Sequence, residues 1–166
     1  ISYVEALGRR IWLIKLRGWL NMKKEEIAVK KFKEGYNCAQ SMIYSFAEEL
    51  GIDKSISLKL ACGFGGGMGR TENVCGAITG GILILGLIFG RGENEDKLKQ
   101  EKVYIFVRDF IEKFKAKYGA IECKCLIDGI NLLTDEGQNK FKESNMIYKC
   151  YEYVENANKI IQEIIK

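Results

Sequence analysis

The chain has no histidine and no proline among its 166 residues. Without histidine there is no Ser-His-Asp or Cys-His catalytic pair, no HExxH zinc site, no histidine-ligated haem and no CxxCH haem attachment. Proton chemistry near neutral pH then falls to cysteine, or to a strongly perturbed Glu, Asp or Lys. Without proline, many-turned sandwiches and barrels are disfavoured and helices are favoured. A nucleic-acid footprint is also missing. The net charge is only +4, and Lys and Glu interleave along the chain instead of gathering on one basic face. The longest uncharged run, ahead of Arg91, is about 17 residues and begins with small ones, at the lower edge of what spans a bilayer. The sequence therefore predicts no stable membrane insertion and no nucleic-acid partner.

What is present is an ordinary globular composition, 47% hydrophobic and 29% charged, in a length that suits one domain with a real core. Six cysteines supply the only soft chemistry: Cys38, Cys62, Cys75, Cys123, Cys125 and Cys150. They are too sparse for a disulfide-stapled secreted scaffold, and nothing at the front reads as a cleaved signal peptide. The expected setting is a reducing bacterial cytoplasm. The first methionine is Met22, and a clean Lys/Glu-rich amphipathic pattern starts directly after it. Arg17-Gly18-Trp19 can be encoded by a purine-rich stretch resembling a ribosome-binding site. Residues 1–21 are accordingly expected to be an upstream or non-native extension, with a surface or membrane-touching helix as the competing account, and residues 22–166 to be the domain.

Hydrophobic periodicity predicts an all-α, single-domain bundle of about six helices. The first covers residues 23–34 and stops at Gly35. A second starts behind Asn37, an N-cap whose capping-box partner is Gln40, with Ala39, Met42, Ile43, Phe46 and Leu50 on one face. A shorter helix begins at Asp53 or Ser55 and ends near Ala61. After a glycine-dense loop, residues 63–70, comes a helix to about Phe89 that is apolar on every side. That pattern marks a central bundle helix, and i, i+4 pairs such as Gly76/Gly80 and Ala77/Gly81 allow close neighbours. Residues 93–118 read as a long amphipathic helix ending at Gly119, residues 128–137 as a turn-rich stretch, and about Ile147 onward as the last helix.

Two cysteines sit at helix starts, Cys38 behind Asn37 and Cys75 behind the glycine loop. Free N–H groups and the positive end of the helix dipole lower a thiol's pKa there and favour the thiolate. Thiolate is the form that ligates metals and attacks disulfides. The glycine loop lacks the Gly-Lys-Ser/Thr of a phosphate site. It can instead wrap closely around a cluster and aim N–H groups at its sulfurs, with Arg70 adding positive charge. Glu72 and Asn73 are expected to serve the following helix start.

Cys75-Gly76-Ala77-Ile78-Thr79-Gly80 resembles the CGAxxG signature of the CGCAxxGCC (C_GCAxxG_C_C) family, redox-active proteins with four characteristic cysteines. Tyr36-Asn37-Cys38-Ala39-Gln40-Ser41 is similar to that family's first cysteine segment, and residues 64–70 to its glycine loop. Cys123-Lys124-Cys125-Leu126-Ile127 is similar to its third cysteine segment, and Cys150 to its fourth cysteine. The resemblance covers about residues 22–166. It implies that Cys38, Cys75, Cys123 and Cys150 are metal ligands, with Gly65, Gly66 and Gly67 beside the cofactor. Related four-cysteine domains in split-Soret-type cytochromes carry a non-haem iron–sulfur centre, which implies electron transfer through a cluster, of the two-iron type, with a redox protein as partner and a homodimer open. Cys62 and Cys125 stand outside the pattern: Cys62, just ahead of the loop, is expected to pack as a small hydrophobe, and Cys125 competes with Cys123 for the third position. Two other readings stay open: a thiol–disulfide protein using a helix-start cysteine, and a structural zinc site in an interaction module. Whether the protein is an enzyme is undecided, with electron transfer or metal binding favoured.

Overall fold

Glycines on one helix determine how closely this bundle is built. The computed structural model describes residues 22–166; the expected extension, residues 1–21, lies outside them. The described residues hold seven helices of eight or more residues: α1 (Lys24–Lys33), α2 (Cys38–Ala47), α3 (Lys54–Ala61), α4 (Gly76–Phe89), α5 (Leu98–Tyr118), α6 (Asp135–Glu143) and α7 (Ile147–Ile164). They contain no strand, only one antiparallel bridge between Val74 and Glu122. The fold is all-α, as the pattern predicts.

α4 is the central element, packed on α2, α5 and α7. A Cβ at Gly80 would lie 2.6 Å from the Met42 Cβ, and one at Gly81 would lie 2.5 Å from the Phe110 ring. Both are inside van der Waals contact, so α2 and the α5 ring reach the α4 backbone only because these positions carry hydrogen. Around this crossing Met42, Phe46, Ile78, Ile84, Leu85, Phe110, Phe114, Val154 and Ile161 are fully buried. A second, smaller cluster gathers Cys123, Ile127, Ile130 and Met146 at one end of the bundle.

Several boundaries differ from the sequence reading. α5 starts at Leu98 instead of residue 93, because Glu95 binds the Gly92 N–H and the Lys99 ammonium and holds the preceding residues in a loop. α6 begins inside the stretch read as turns: the Thr134 hydroxyl accepts from the Gly137 N–H at 3.0 Å, with Asp135 and Glu136 in the first turn and Lys140 and Lys142 in the last. That charge order suits the helix dipole. α4 is not buried all round. Leu87 is 46% exposed and Ile82 half-buried, while Leu85 is fully enclosed. No helix among the described residues is long and apolar enough to cross a membrane.

Candidate functional site

The start of α2 is held by reciprocal bonds. The Asn37 Oδ1 accepts from the Gln40 N–H and the Gln40 Oε1 from the Asn37 N–H, each at 3.0 Å. Cys38 thereby becomes the first residue of the helix. The Asn37 amide also donates to the Cys62 carbonyl at 2.8 Å, tying the α2 start to the chain leaving α3.

The glycine loop is more ordered than its composition suggests. Gly66, Gly67, Met68, Gly69 and Arg70 all have φ between 62° and 68°, a turn of left-handed helix. Such a conformation costs roughly 1–2 kcal/mol for each residue with a Cβ. Glycine removes that cost at three of the five positions, leaving Met68 and Arg70 to bear it. The turn is closed by backbone bonds from the Arg70 N–H to the Gly65 carbonyl, 3.2 Å, and from the Asn73 N–H to the Gly67 carbonyl, 2.9 Å. Gly67 is buried, and a Cβ there would lie 2.7 Å from both the Cys123 Cβ and the Asn73 nitrogen. A Cβ at Gly76 would overlap the Cys38 sulfur. Glycines thus stand where backbone passes directly against cysteine side chains. Gly67→Ala combines the left-handed cost with a clash against backbone and should lower stability by about 2 kcal/mol or more, measured by urea unfolding. An unchanged midpoint would contradict the tight contact.

The chain next pairs with a distant segment. The Cys75 N–H donates to the Ile121 carbonyl at 2.8 Å, the Cys123 N–H to the Asn73 carbonyl at 2.6 Å, and the Lys124 N–H to the Glu72 carbonyl at 3.1 Å. This short antiparallel pairing carries Cys75 on one side and Cys123 on the other. Glu72 and Asn73 were expected to serve the α4 start. Asn73 instead anchors Cys123, and the Glu72 carboxylate accepts from the Leu132 N–H at 2.6 Å, clamping the loop to the segment before α6. The N-cap of α4 is Cys75 itself. Cys150 enters from the first turns of α7, against the cluster that contains Cys123.

Cys38, Cys75, Cys123 and Cys150 line one cavity of about 550 Å3. Gly65 and Gly66 line it too, whereas Gly67 backs Cys123 and does not. Phe32, Leu126, Ile127 and Tyr153 form the apolar wall, and the Tyr153 hydroxyl is fixed by donation to the Leu126 carbonyl at 2.9 Å. Cys125 is exposed and off this wall. Cys62, expected to pack as a small hydrophobe, is exposed and sits on the cavity lining. It follows Ala61, whose side chain takes the buried place in the α2–α3 contact. All six thiols are free. Among the described residues, no three His, Cys, Asp or Glu side chains are drawn together tightly enough to hold a metal as they stand.

The thiols are electrostatically unequal. A hydrogen bond from Cys75 is the largest influence lowering the Cys38 pKa, assisted against burial by N–H groups of Gly66, Ala39 and Cys38. Cys75, the donor of that bond and itself buried, is held well above the ordinary thiol range. Burial, followed by the charge at Cys38, pushes Cys123 up to about 12. Burial, Cys38 and Cys123 do the same for Cys150, also to about 12. Among these four, negative charge is therefore favoured on the Cys38 sulfur and disfavoured on Cys75, Cys123 and Cys150. In metal-free, reduced protein, alkylation of Cys38 should accelerate at lower pH than that of Cys123 or Cys150, because thiolate is the reacting form. Site-resolved mass spectrometry across a pH series checks the order, and equal onset at all three would contradict it.

The profile of a family described as "Putative redox-active protein (C_GCAxxG_C_C)" matches residues 36–164. A protein of Archaeoglobus fulgidus, described as an uncharacterized protein, is 26% identical over 151 residues, covering 87% of this chain and 94% of its own. No solved structure matches.

Proposed function

This chain belongs to the C_GCAxxG_C_C family of redox-active proteins, and from that premise we propose that Cys38, Cys75, Cys123 and Cys150 hold an iron–sulfur cluster used for electron transfer. The observation that carries this reading is the shared cavity: four thiols from four remote segments on one wall. The donor chemistry fits such a group, and the four thiols would have to draw closer around it than they stand. The donor set is all sulfur, as iron–sulfur clusters require, and the Gly66 and Ala39 N–H groups already point at the Cys38 sulfur. When bound, the cluster would supply a site that takes up and releases single electrons.

The chain's own residues set the conditions. The N–H groups at the α2 start stabilise negative charge on the Cys38 sulfur, which favours ligation and tunes a bound group's potential. The Asn73–Cys123 and Cys75–Ile121 bonds hold two ligands at a fixed separation. Phe32, Leu126 and Ile127 keep water from the inner wall. Electron delivery and removal would fall to a partner redox protein. The test is anaerobic purification with iron and sulfide reconstitution, read by charge-transfer absorbance and by metal and sulfide analysis. Iron with sulfide supports the cluster. Zinc alone would turn the site into a structural one, and no metal would sink both.

A second reading rests on the hydrogen bond between Cys38 and Cys75. In it the Cys38 thiolate attacks one sulfur of a partner disulfide and displaces the other as a thiolate. Cys75, losing its proton, then attacks the Cys38 sulfur and releases the second partner thiol. A Cys38–Cys75 disulfide is left, and two electrons have passed to the partner.

A further inference from the structure

The cavity is larger than its sulfur chemistry needs. Metal–thiolate bonds are about 2.3 Å long, so four ligating sulfurs enclose only a small part of a space of about 550 Å3. Small-molecule sites typically measure about 300–1,000 Å3. The wall away from the thiols has its own character: Leu132, Phe141 and Ile147 are apolar, and Arg70 and Lys142 stand at the exposed edge. No Asp or Glu lines the cavity. Arg70 and Lys142 take part in none of the ion pairs among the described residues. Glu72, two residues from Arg70, turns its carboxylate to the Leu132 N–H. The apolar wall thus ends at two cations that no carboxylate among the described residues pairs with.

We infer that this part of the cavity binds a small organic anion, a carboxylate on an apolar body. The carboxylate would pair with Arg70 and Lys142, and the body would lie along Leu132 and Phe141 toward the thiols. Arg suits the role because its planar fork meets a carboxylate through two parallel N–H bonds. A cationic molecule of the same shape would meet like charge, and a neutral one would forgo the charged bonds. The inference concerns the wall beside the cysteines and goes beyond what the cysteines themselves hold.

The test uses reduced, metal-free full chain and three probes of similar shape: benzoate, benzyl alcohol and benzylamine. NMR shifts of the Leu132 and Ile147 methyls and the Phe141 ring follow each titration. Benzoate should bind about tenfold tighter than benzyl alcohol, equivalent to about 1.4 kcal/mol, and benzylamine more weakly than either. A double variant, Arg70→Gln with Lys142→Gln, should bring benzoate to the level of the alcohol while leaving the melting curve in place, since both side chains are exposed. No preference for benzoate would overturn the inference, as would a preference that survives the double variant, or shifts that map elsewhere. Iron uptake by the same preparation is read separately, so a failed cluster and a failed anion site give different results.

Discussion

Alanine at Cys38, Cys75, Cys123 or Cys150 should each abolish or severely weaken iron retention after reconstitution, while alanine at Cys125 should leave it near the parent level. A shared cluster has no spare ligand on the wall except Cys62, and that thiol is exposed at the lining and lies outside the set of four. Cys62→Ala should therefore keep the iron and change stability by no more than about 0.5 kcal/mol, the usual range for a surface position. The pattern across variants separates the readings. Loss at all four positions supports the cluster. If only Cys38→Ala and Cys75→Ala abolish activity toward a small disulfide, while the Cys123 and Cys150 variants retain it, the dithiol reading stands instead. If Cys125→Ala loses iron and Cys123→Ala keeps it, the third ligand has been misassigned. Iron analysis, visible absorbance and a disulfide-reduction assay on the six single variants decide among these outcomes.

Much of this was legible because it depends on local chemistry. Asn37 and Gln40 are a capping box in the sequence and in the structure, so Cys38 could be placed at a helix start before any fold was known. The inward face of α5, Val103 through Tyr118, follows from its 3.6-residue period, and Phe110 and Phe114 are fully buried. The convergence of the cysteines was not readable from spacing. It depends on hydrogen bonds between residues some 50 positions apart, from Cys75 to Ile121 and from Cys123 to Asn73, and no local pattern encodes that pairing. The left-handed turn was hidden for a different reason: a run of glycines signals freedom, and freedom does not announce which conformation is adopted. α6 was missed although its signal was present. Thr134 followed by two acids, with two lysines near the end, is a cap and a dipole-matched charge order, but glycine and asparagine within it read as turns. Cys62 was misjudged because cysteine alone does not reveal whether it or its neighbour Ala61 takes the buried place.

Aspartate at Leu85 should unfold the protein or lower its stability by about 4 kcal/mol or more, whereas aspartate at Leu87 should cost less than about 1 kcal/mol. The two leucines are two residues apart on one helix, with the same propensity and the same neighbours in sequence. They differ in where they point. Leu85 is fully enclosed within the main core. Its replacement would bury a carboxylate in the main hydrophobic cluster and would empty the space a leucine fills. Leu87 is 46% exposed, so a carboxylate there keeps its water. From its composition alone, α4 predicts similar damage at both sites, since all its large side chains are apolar. The structure divides them because Gly80 and Gly81 draw α2 and α5 onto one part of the helix and leave its C-terminal end partly uncovered. Urea unfolding of the two variants measures the difference. A Leu87 variant as damaged as the Leu85 variant would show that this end is covered in solution. Equal tolerance at both sites would remove α4 from the centre of the fold.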